Sequence, residues 1–548
     1  VRLLLKAANI ICPGSTLPQG VQDILISDGQ LAAYTAKSSR PDVIFDASNH
    51  VLMPNGIDLH THIGGGKANL SRLLLFERQR PVRPKFVGEH TVSLSAPVPN
   101  TLETGHRYLQ LGYTACFEPA VVASGARHAH SEMIDTPYLD TGGYVVLGNE
   151  ELLLDRLANQ ATDEEVRDYV AWMLQSTQCR AVKVVNAGGI SAFKYNQRQL
   201  DVDDHHAHWN LKPRSILYRL AKAIDELALP HPLHVHCSNL GMAGNITSAL
   251  ASIDAVSGHR LHLTHTQFHA YGSDGPFGFS SAAVLLADRV NAQPELSIDV
   301  GQVFFGQTAT LSADVMHQYR NRRLARPRKS IFQESDCQAG CGVLPFRYRE
   351  DQFVNALQWA IGLELFLLVK NPWQIFLTTD HPNGAPFTAY PHLIKLLCSY
   401  DFRMEILDQL HPAVKDWSNL ADLKREYTLE EIAIVTRSGP ANSLGVSNQF
   451  NPRFSSAANL TLFQKDTDIE KMFSEAALVV KDGSIVWQDG RPAEKPCSKT
   501  IYTCPLGDRY SLPKFFQQHW SRYNEIPIES FAIGNEELMD QGIQLSSK

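Results

Sequence analysis

The chain has 548 residues, with 50 Lys+Arg against 57 Asp+Glu, a net charge of −7, and 44% hydrophobic and 20% charged residues. That is ordinary globular composition, which excludes a disordered or low-complexity chain, and its acidic balance argues against nucleic acid or an anionic membrane as partner. At about 150 residues per domain the length suggests three or four domains, although α/β barrels run longer as single units. A core this large needs neither disulfide nor metal to hold it, so a metal here is expected to serve chemistry.

Residues 1–8 are basic and apolar but lack the long apolar stretch and small-residue cleavage site of a secretory signal. The nine cysteines form no dense, even framework, which points to a reducing compartment, and a soluble, cytoplasmic protein is expected. Asp28-Gly29, between the β-prone runs 24–27 and 30–31, predicts a hairpin because glycine tolerates the positive φ of a tight turn. Asp482-Gly483 repeats the pattern near the other end. Two such hairpins either stand apart or meet in one small β-domain.

Between them, short apolar runs at 51–53, 181–185, 233–236, 260–265 and 374–379 alternate with helical patterns at 164–175, 215–227 and 352–368. This alternation is that of parallel βαβ units, and its length suits an eight-fold barrel with catalytic groups at the C-terminal strand ends. The loop over 64–101 carries Arg72, Arg78, Arg80, Arg83 and Lys85 and is long enough to help cover a site. The most apolar helical stretch, 359–369, contains Glu364 and is too short to span a bilayer. After Pro505 no period is visible, and the segment reads as a tail packed on the body or on a partner.

Five features end apolar runs. In Asp58-Leu59-His60-Thr61-His62, residues two apart share a face, so two imidazoles point together and suit a divalent metal such as zinc. Lys183 interrupts Ala181-Val182-Lys183-Val184-Val185. A lysine there must snorkel, be paired, be neutralised or be modified, and carbamate formation with carbon dioxide is one solution. His234-Val235-His236 and His262-Leu263-Thr264-His265 each offer two histidines. His236 and His265 stand nearer the strand ends, which leaves His234 and His262 to the core or to supporting roles. Asp380, after Thr378-Thr379, is either a turn residue or an acid that ligates a metal and shuttles a proton. The cluster Asp203-Asp204-His205-His206-Ala207-His208 follows no apolar strand and is expected to be a loop or an intersubunit contact.

Taken in order, His60-x-His62, Lys183, His236, His265 and Asp380 resemble the ligand series of the amidohydrolase superfamily. That resemblance implies an α/β fold: a distorted (β/α)8 barrel over 54–435, and a small β-sandwich domain built from both ends, 1–53 and 436–505, with 506–548 as a C-terminal tail. The resemblance narrows on Gln358-Trp359-Ala360-Ile361-Gly362-Leu363-Glu364, His236-Cys237-Ser238-Asn239-Leu240-Gly241, Gln267-Phe268-His269-Ala270-Tyr271-Gly272, and Thr378-Thr379-Asp380-His381-Pro382-Asn383-Gly384. Together with Arg425-Glu426-Tyr427-Thr428-Leu429-Glu430-Glu431-Ile432-Ala433, these look like the amidohydrolase-type component of formylmethanofuran dehydrogenase and of the related bacterial formyltransferase/hydrolase complex.

The family resemblance implies two divalent ions, zinc by preference, held by His60, His62, His236 and His265 with carboxylated Lys183 bridging. Asp380 is then a ligand and the catalytic acid–base. The implied reaction is hydrolysis of a formylated methanofuran-type one-carbon carrier to formate and free amine, within a complex of several subunits. The other branch condenses formate beside a tungsten or molybdenum subunit. This chain has no iron–sulfur cysteine spacing, Cys337-x-x-x-Cys341 being too sparse, and the hydrolase branch is preferred. A different cyclic-amide hydrolase, a deaminase on the same barrel, or a metal-free scaffold are the alternatives. Asn186, His269 and His381 are candidate substrate contacts. So are Arg322, Arg323 and Arg326, in a run over 320–329 with six cationic residues. That run suits the acidic tail of such a carrier, a contact with another protein of the complex, or a solvated face.

Overall fold

The computed structural model describes residues 2–75 apart from 36, 37 and 39, together with 96–312, 342–494, 497–507, 510–539 and 543–547. Arg78, Arg80, Arg83 and Lys85 of the expected covering loop lie outside the described residues, as do Arg322, Arg323, Arg326, Cys337 and Cys341.

Eight parallel strands succeed one another around a barrel. They are β1 (Gly56–Asp58), β2 (Tyr113–Val121), β3 (Asp140–Leu147), β4 (Ala181–Val185), β5 (Leu233–His236), β6 (Leu261–Leu263), β7 (Leu296–Asp299) and β8 (Ile375–Phe376). Each pairs in parallel with the next. The seam between β8 and β1 is bridged just beyond their ends, where Thr61 pairs with His381. Strands covered on both faces read as unbroken apolar runs, and all five residues of β4 are buried, Lys183 included. The registers place Lys183, His234, His262 and Ser297 in one row across β4 to β7.

Helices cover the barrel. Asp163–Thr177 starts on a reciprocal cap between Thr162 and Glu165, and Pro213–Glu226 starts with proline in its first turn. Phe353–Leu368 is buried almost all round, Glu364 included. Among the described residues no helix is long and apolar enough to cross a membrane.

A nine-stranded mixed sheet takes five strands from residues 2–54 and four from 460–492. His50–Pro54 and Leu460–Gln464 pair antiparallel and stitch the two ends together. The two hairpins therefore meet. Asp28 and Gly29 have φ of 51° and 79°, Asp482 and Gly483 of 48° and 77°. A Cβ on Gly483 would fall 2.1 Å from the Gly29 Cα, so the turns pack backbone to backbone and only glycine fits. Arg437 donates to Pro54 O at 2.6 Å, and Lys481 pairs with Asp140 of β3 at 2.8 Å; both tie this sheet to the barrel.

Two segments lie outside the mixed sheet. Residues 434–450 are helical, and Lys499–Tyr502 extends the barrel sheet, pairing in parallel with β3 on one side and Ile543–Ser546 on the other. The end of the chain packs on the barrel. Helix Lys514–Tyr523 buries Phe516 and Trp520, with the Phe516 ring 4.3 Å from that of Tyr169 and Trp520 edge-on to Trp172 at 5.4 Å.

Candidate metal centre

His60 and His62 follow β1 on alternate positions, with Leu59 before them and Thr61 between them, both buried. His60 Nε2 lies 2.9 Å from Asp380 Oδ1, and His62 Nε2 lies 3.3 Å from the same oxygen. Lys183 Nζ is 3.5 Å from His60 Nε2. Asp380 itself sits at a φ of 47° and accepts from Asn383 Nδ2 at 2.9 Å. Four of the six expected ligands therefore converge from β1, β4 and β8.

The other two stand beside them. His236 and His265 close to 4.6 Å between ring centroids, and His265 is 5.6 Å from His60. One ring nitrogen each of His236, His265 and His269 lies within 4.8 Å of the others. A second group of this kind is His60, His62 and Asp380. All these side chains are buried.

Supporting groups fix the first histidines. Glu118 of β2 takes His62 Nδ1 at 2.9 Å on one oxygen and the Ile63 and Gly64 amides on the other. Burial alone would raise its pKa, but the His62 imidazole and these amides hold it below the usual carboxylate range. Asp299, ending β7, accepts from His265 N at 2.8 Å and Thr378 Oγ1 at 2.9 Å, and meets His262 Nε2 at 3.0 Å. Burial opposes its ionisation too, yet the His60 and His262 rings hold it well below the ordinary value, and Asp380 behaves alike beside His60 and His265. Asp58, with Tyr108 and Tyr390 on one oxygen, is pushed up by burial to about 6.

Burial also lowers Lys183 to about 8, against an ordinary 10.5. It holds His265 well below 6.5, and brings His381 to about 3. Burial opposes a proton on His60 too, but the Asp299 and Asp380 carboxylates raise it above the ordinary imidazole value. A neutral His265, an ionised Asp380 and an amine biased towards its neutral form are donors that suit a divalent cation. The fit has a direct sign: His265 Nδ1 is fully buried with no hydrogen-bond partner among the described residues.

Other expected contacts fall around this centre. His269 adjoins His236 at 5.3 Å between centroids. His381 packs edge-on against Phe387, whose amide donates to its Nδ1 at 3.3 Å. Asn186 accepts from Ser238 Oγ at 3.0 Å. The 203–208 cluster is a pinned loop. Asp203 pairs with Arg214 at 2.7 Å, His206 meets Ser191 at 3.2 Å, and His208 stacks on Tyr195 at 4.0 Å. Glu118, Asp299 and His231 were not singled out from sequence. The first two are polar residues within or closing apolar strands, the signal that marks Lys183 and Asp380.

A closed parallel barrel with His-x-His after its first strand, a buried lysine in the fourth, histidines ending the fifth and following the sixth, and an aspartate after the eighth defines an amidohydrolase. The profile of the Amidohydrolase family matches residues 43–487, and the chain belongs to this family. It is 40% identical over 490 residues to the Fhc A component of the formyltransferase/hydrolase complex of Methylorubrum extorquens, covering 88% of this chain and 87% of that relative. It is 33% identical over 536 residues to protein FwdA of Methanocaldococcus jannaschii, covering 94% and 93%. The fold matches one polypeptide in the X-ray crystal structure of the M. extorquens formyltransferase/hydrolase complex (FhcABCD) with methylofuran, at a TM-score of 0.89 and 35% identity, over 100% of this chain and 99% of that one.

Proposed function

We propose that this chain hydrolyses the formamide bond of a formylated methanofuran-type carrier, releasing formate and the free amine, as the hydrolytic subunit of a cytoplasmic formyltransferase/hydrolase complex in one-carbon metabolism. The observation that carries this reading is the convergence of His60, His62, Lys183 and Asp380 beside His236 and His265, in a chain 40% identical to the Fhc A component.

His60, His62 and Asp380 would hold one divalent ion and His236 and His265 a second, with Lys183 between them as its carbamate; zinc suits this donor set. Two such ions supply Lewis acidity towards the formyl oxygen and bring the acidity of water near neutrality. Lys183 contributes by being buried, because only a neutral amine adds carbon dioxide. Asp380 takes the proton of the attacking water and delivers it to the departing amine nitrogen, a poor leaving group unless protonated. Asn383 holds the Asp380 carboxylate in place for both transfers. His269 beside His236, His381 beside Asp380, and Asn186 at the end of β4 are assigned to the substrate. Arg322, Arg323 and Arg326 are assigned to an acidic carrier tail.

Condensation of formate in a tungsten or molybdenum complex is the second reading, supported by 33% identity to FwdA. Purification of the native complex separates the two. The hydrolase reading expects formate release from the formylated carrier, a co-purifying formyltransferase, and no tungsten or molybdenum. A metal–pterin subunit in the complex would overturn the assigned direction.

A further inference from the structure

A file of hydrogen-bonded side chains runs from the floor of the barrel up to His60. Half-buried Ser443, on helix Gly439–Leu444, lies 3.0 Å from His231 Nδ1. His231 Nε2 lies 3.0 Å from His234 Nδ1, and His234 Nε2 lies 2.9 Å from His60 Nδ1. His231, His234 and His60 are all buried. Beyond His60, the other ring nitrogen faces Asp380 and Lys183. His231 and His234 thus have one neighbour at each nitrogen along the file, which is what a neutral ring needs if it donates once and accepts once.

Only two proton orders satisfy such a file, and they run in opposite directions. In one, every Nδ1 carries the proton. His60 then donates to His234, His234 to His231, and His231 to the Ser443 hydroxyl, which leaves His60 Nε2 with a free lone pair facing the site. In the other, every Nε2 is protonated and the His60 lone pair is turned away from Asp380. Asp299 decides between them. Its Oδ2 sits 3.4 Å from His60 Nδ1 and 3.0 Å from His262 Nε2, and a carboxylate only accepts, so it favours a proton on His60 Nδ1. Asp380 Oδ1, 2.9 Å from Nε2, would compete for that proton in the metal-free chain. As a fellow ligand of an ion on the Nε2 side, Asp380 would leave the choice to Asp299. The Thr264 hydroxyl, also against His60 Nδ1, can accept as well.

We propose that His234 and His231, closed off by Ser443, are positioning residues that hold His60 in its Nδ1-protonated tautomer and so present Nε2 as a metal donor. This inference rests on the metal-centre reading proposed above. A histidine ligand is tuned through the group bonded to its other nitrogen, and loss of that group typically weakens metal binding about 10–100-fold. Here the supporting group is itself a histidine, and it can accept from His60 only while its own Nδ1 proton has somewhere to go. Replacing His231 by an apolar residue would strand that proton. His234 would then move it to Nε2, against His60 Nδ1, and drive His60 towards the wrong tautomer. The effect reaches the metal from a residue that touches neither metal nor substrate.

The test is the affinity of the purified complex for zinc, measured by competition with a chromogenic chelator, with ions counted per chain. His231→Leu is expected to weaken one ion about 10–100-fold. His231→Gln, whose amide can accept from His234 and donate to Ser443, is expected to recover most of the loss. Ser443→Ala, a small change at a half-buried position, is expected to weaken the same ion about 5-fold, the loss of one hydrogen bond. A folded His231→Leu complex with wild-type affinity would overturn the proposal. A Gln variant as weak as Leu would also overturn it, by reducing His231 to packing. If His231→Leu does not fold, Ser443→Ala decides: unchanged affinity counts against the relay. A third ion per chain would mean that His60 Nδ1 and His234 are themselves ligands, and would overturn it as well. A wild-type complex that binds no ion would remove the metal-centre reading, and the relay with it.

Discussion

Thr61 pairs with His381 across the seam where the first and eighth barrel strands meet, and His62 N donates to His381 O at 2.8 Å beside it. This closure sets the His-x-His end of one strand against the aspartate end of the other. Asp380 reaches both histidines only because the barrel shuts. The distances of 2.9 and 3.3 Å from its Oδ1 to His60 and His62 follow from that seam.

Asp380 is assigned two tasks, ligand and proton carrier, and Asp380→Asn separates them. The amide retains an oxygen donor but cannot take a proton from water. The complex is expected to keep most of its metal and lose turnover by about 10²–10⁴-fold, the usual worth of a positioned acid–base group. Formate release and metal content measured on one preparation check this. Full activity in a metal-replete variant would contradict the role.

Lys183 gives a pH dependence whose sign can be worked out. Burial lowers it from 10.5 to about 8. In the metal-free chain the ammonium is therefore disfavoured on folding. That penalty is fully present below about pH 8, shrinks as pH rises through 8, and is gone above 10.5, where the unfolded lysine is neutral too. Metal-free stability, measured by denaturant melts, should rise over that window relative to Lys183→Met. At fixed dissolved carbon dioxide, reconstitution with metal should quicken as pH approaches 8 from below, since only the neutral amine forms a carbamate. A Lys183→Met complex that loads two ions and turns over normally would contradict the bridging role.

Glu118 accepts His62 Nδ1 and the Ala120 amide on one oxygen, and two more amides on the other. Glu118→Gln puts an NH2 against one of these donor sets whichever way the amide turns. Metal affinity is expected to fall about 10–100-fold with the fold retained, as read by chelator competition and circular dichroism.

The end of the chain holds on to the barrel through buried aromatics. Trp520 packs edge-on against Trp172 at 5.4 Å and donates to Ile526 O at 2.6 Å. Trp520→Ala is expected to cost about 3–5 kcal/mol where the tail and barrel unfold together. A protease should then cut the tail first. A thermal melt and a cleavage pattern unchanged from wild type would show that the tail contributes nothing to the barrel.

Much of this was legible in the sequence because strands covered on both faces appear as unbroken apolar runs, in which a polar residue stands out. His60, His62, Lys183, His236, His265 and Asp380 each interrupt or follow such a run, and the structure gathers all six. Glu118 and Asp299 sit in equivalent places but carry the commonest kind of polar side chain. Their importance comes from what β2 and β7 lie beside, which no local pattern records. His231 stands between two prolines ahead of β5, and only the barrel floor reveals its partners. The hairpins announced themselves through Asp-Gly turns, whereas their contact, Gly483 on Gly29, depends on both ends of the chain. The tail has no hydrophobic period because short helices and one strand bury single aromatics such as Phe516 and Trp520 instead of a continuous stripe. Its parallel pairing through Lys499–Tyr502 is set by β3, far away in the sequence.

The most direct test of the account is formate release from the formylated carrier by the purified complex, stripped with a chelator and titrated with zinc in the presence of dissolved carbon dioxide. Activity is expected to be lost on stripping and to return with zinc, reaching its plateau at two ions per chain. Undiminished formate release by the fully stripped complex would contradict this.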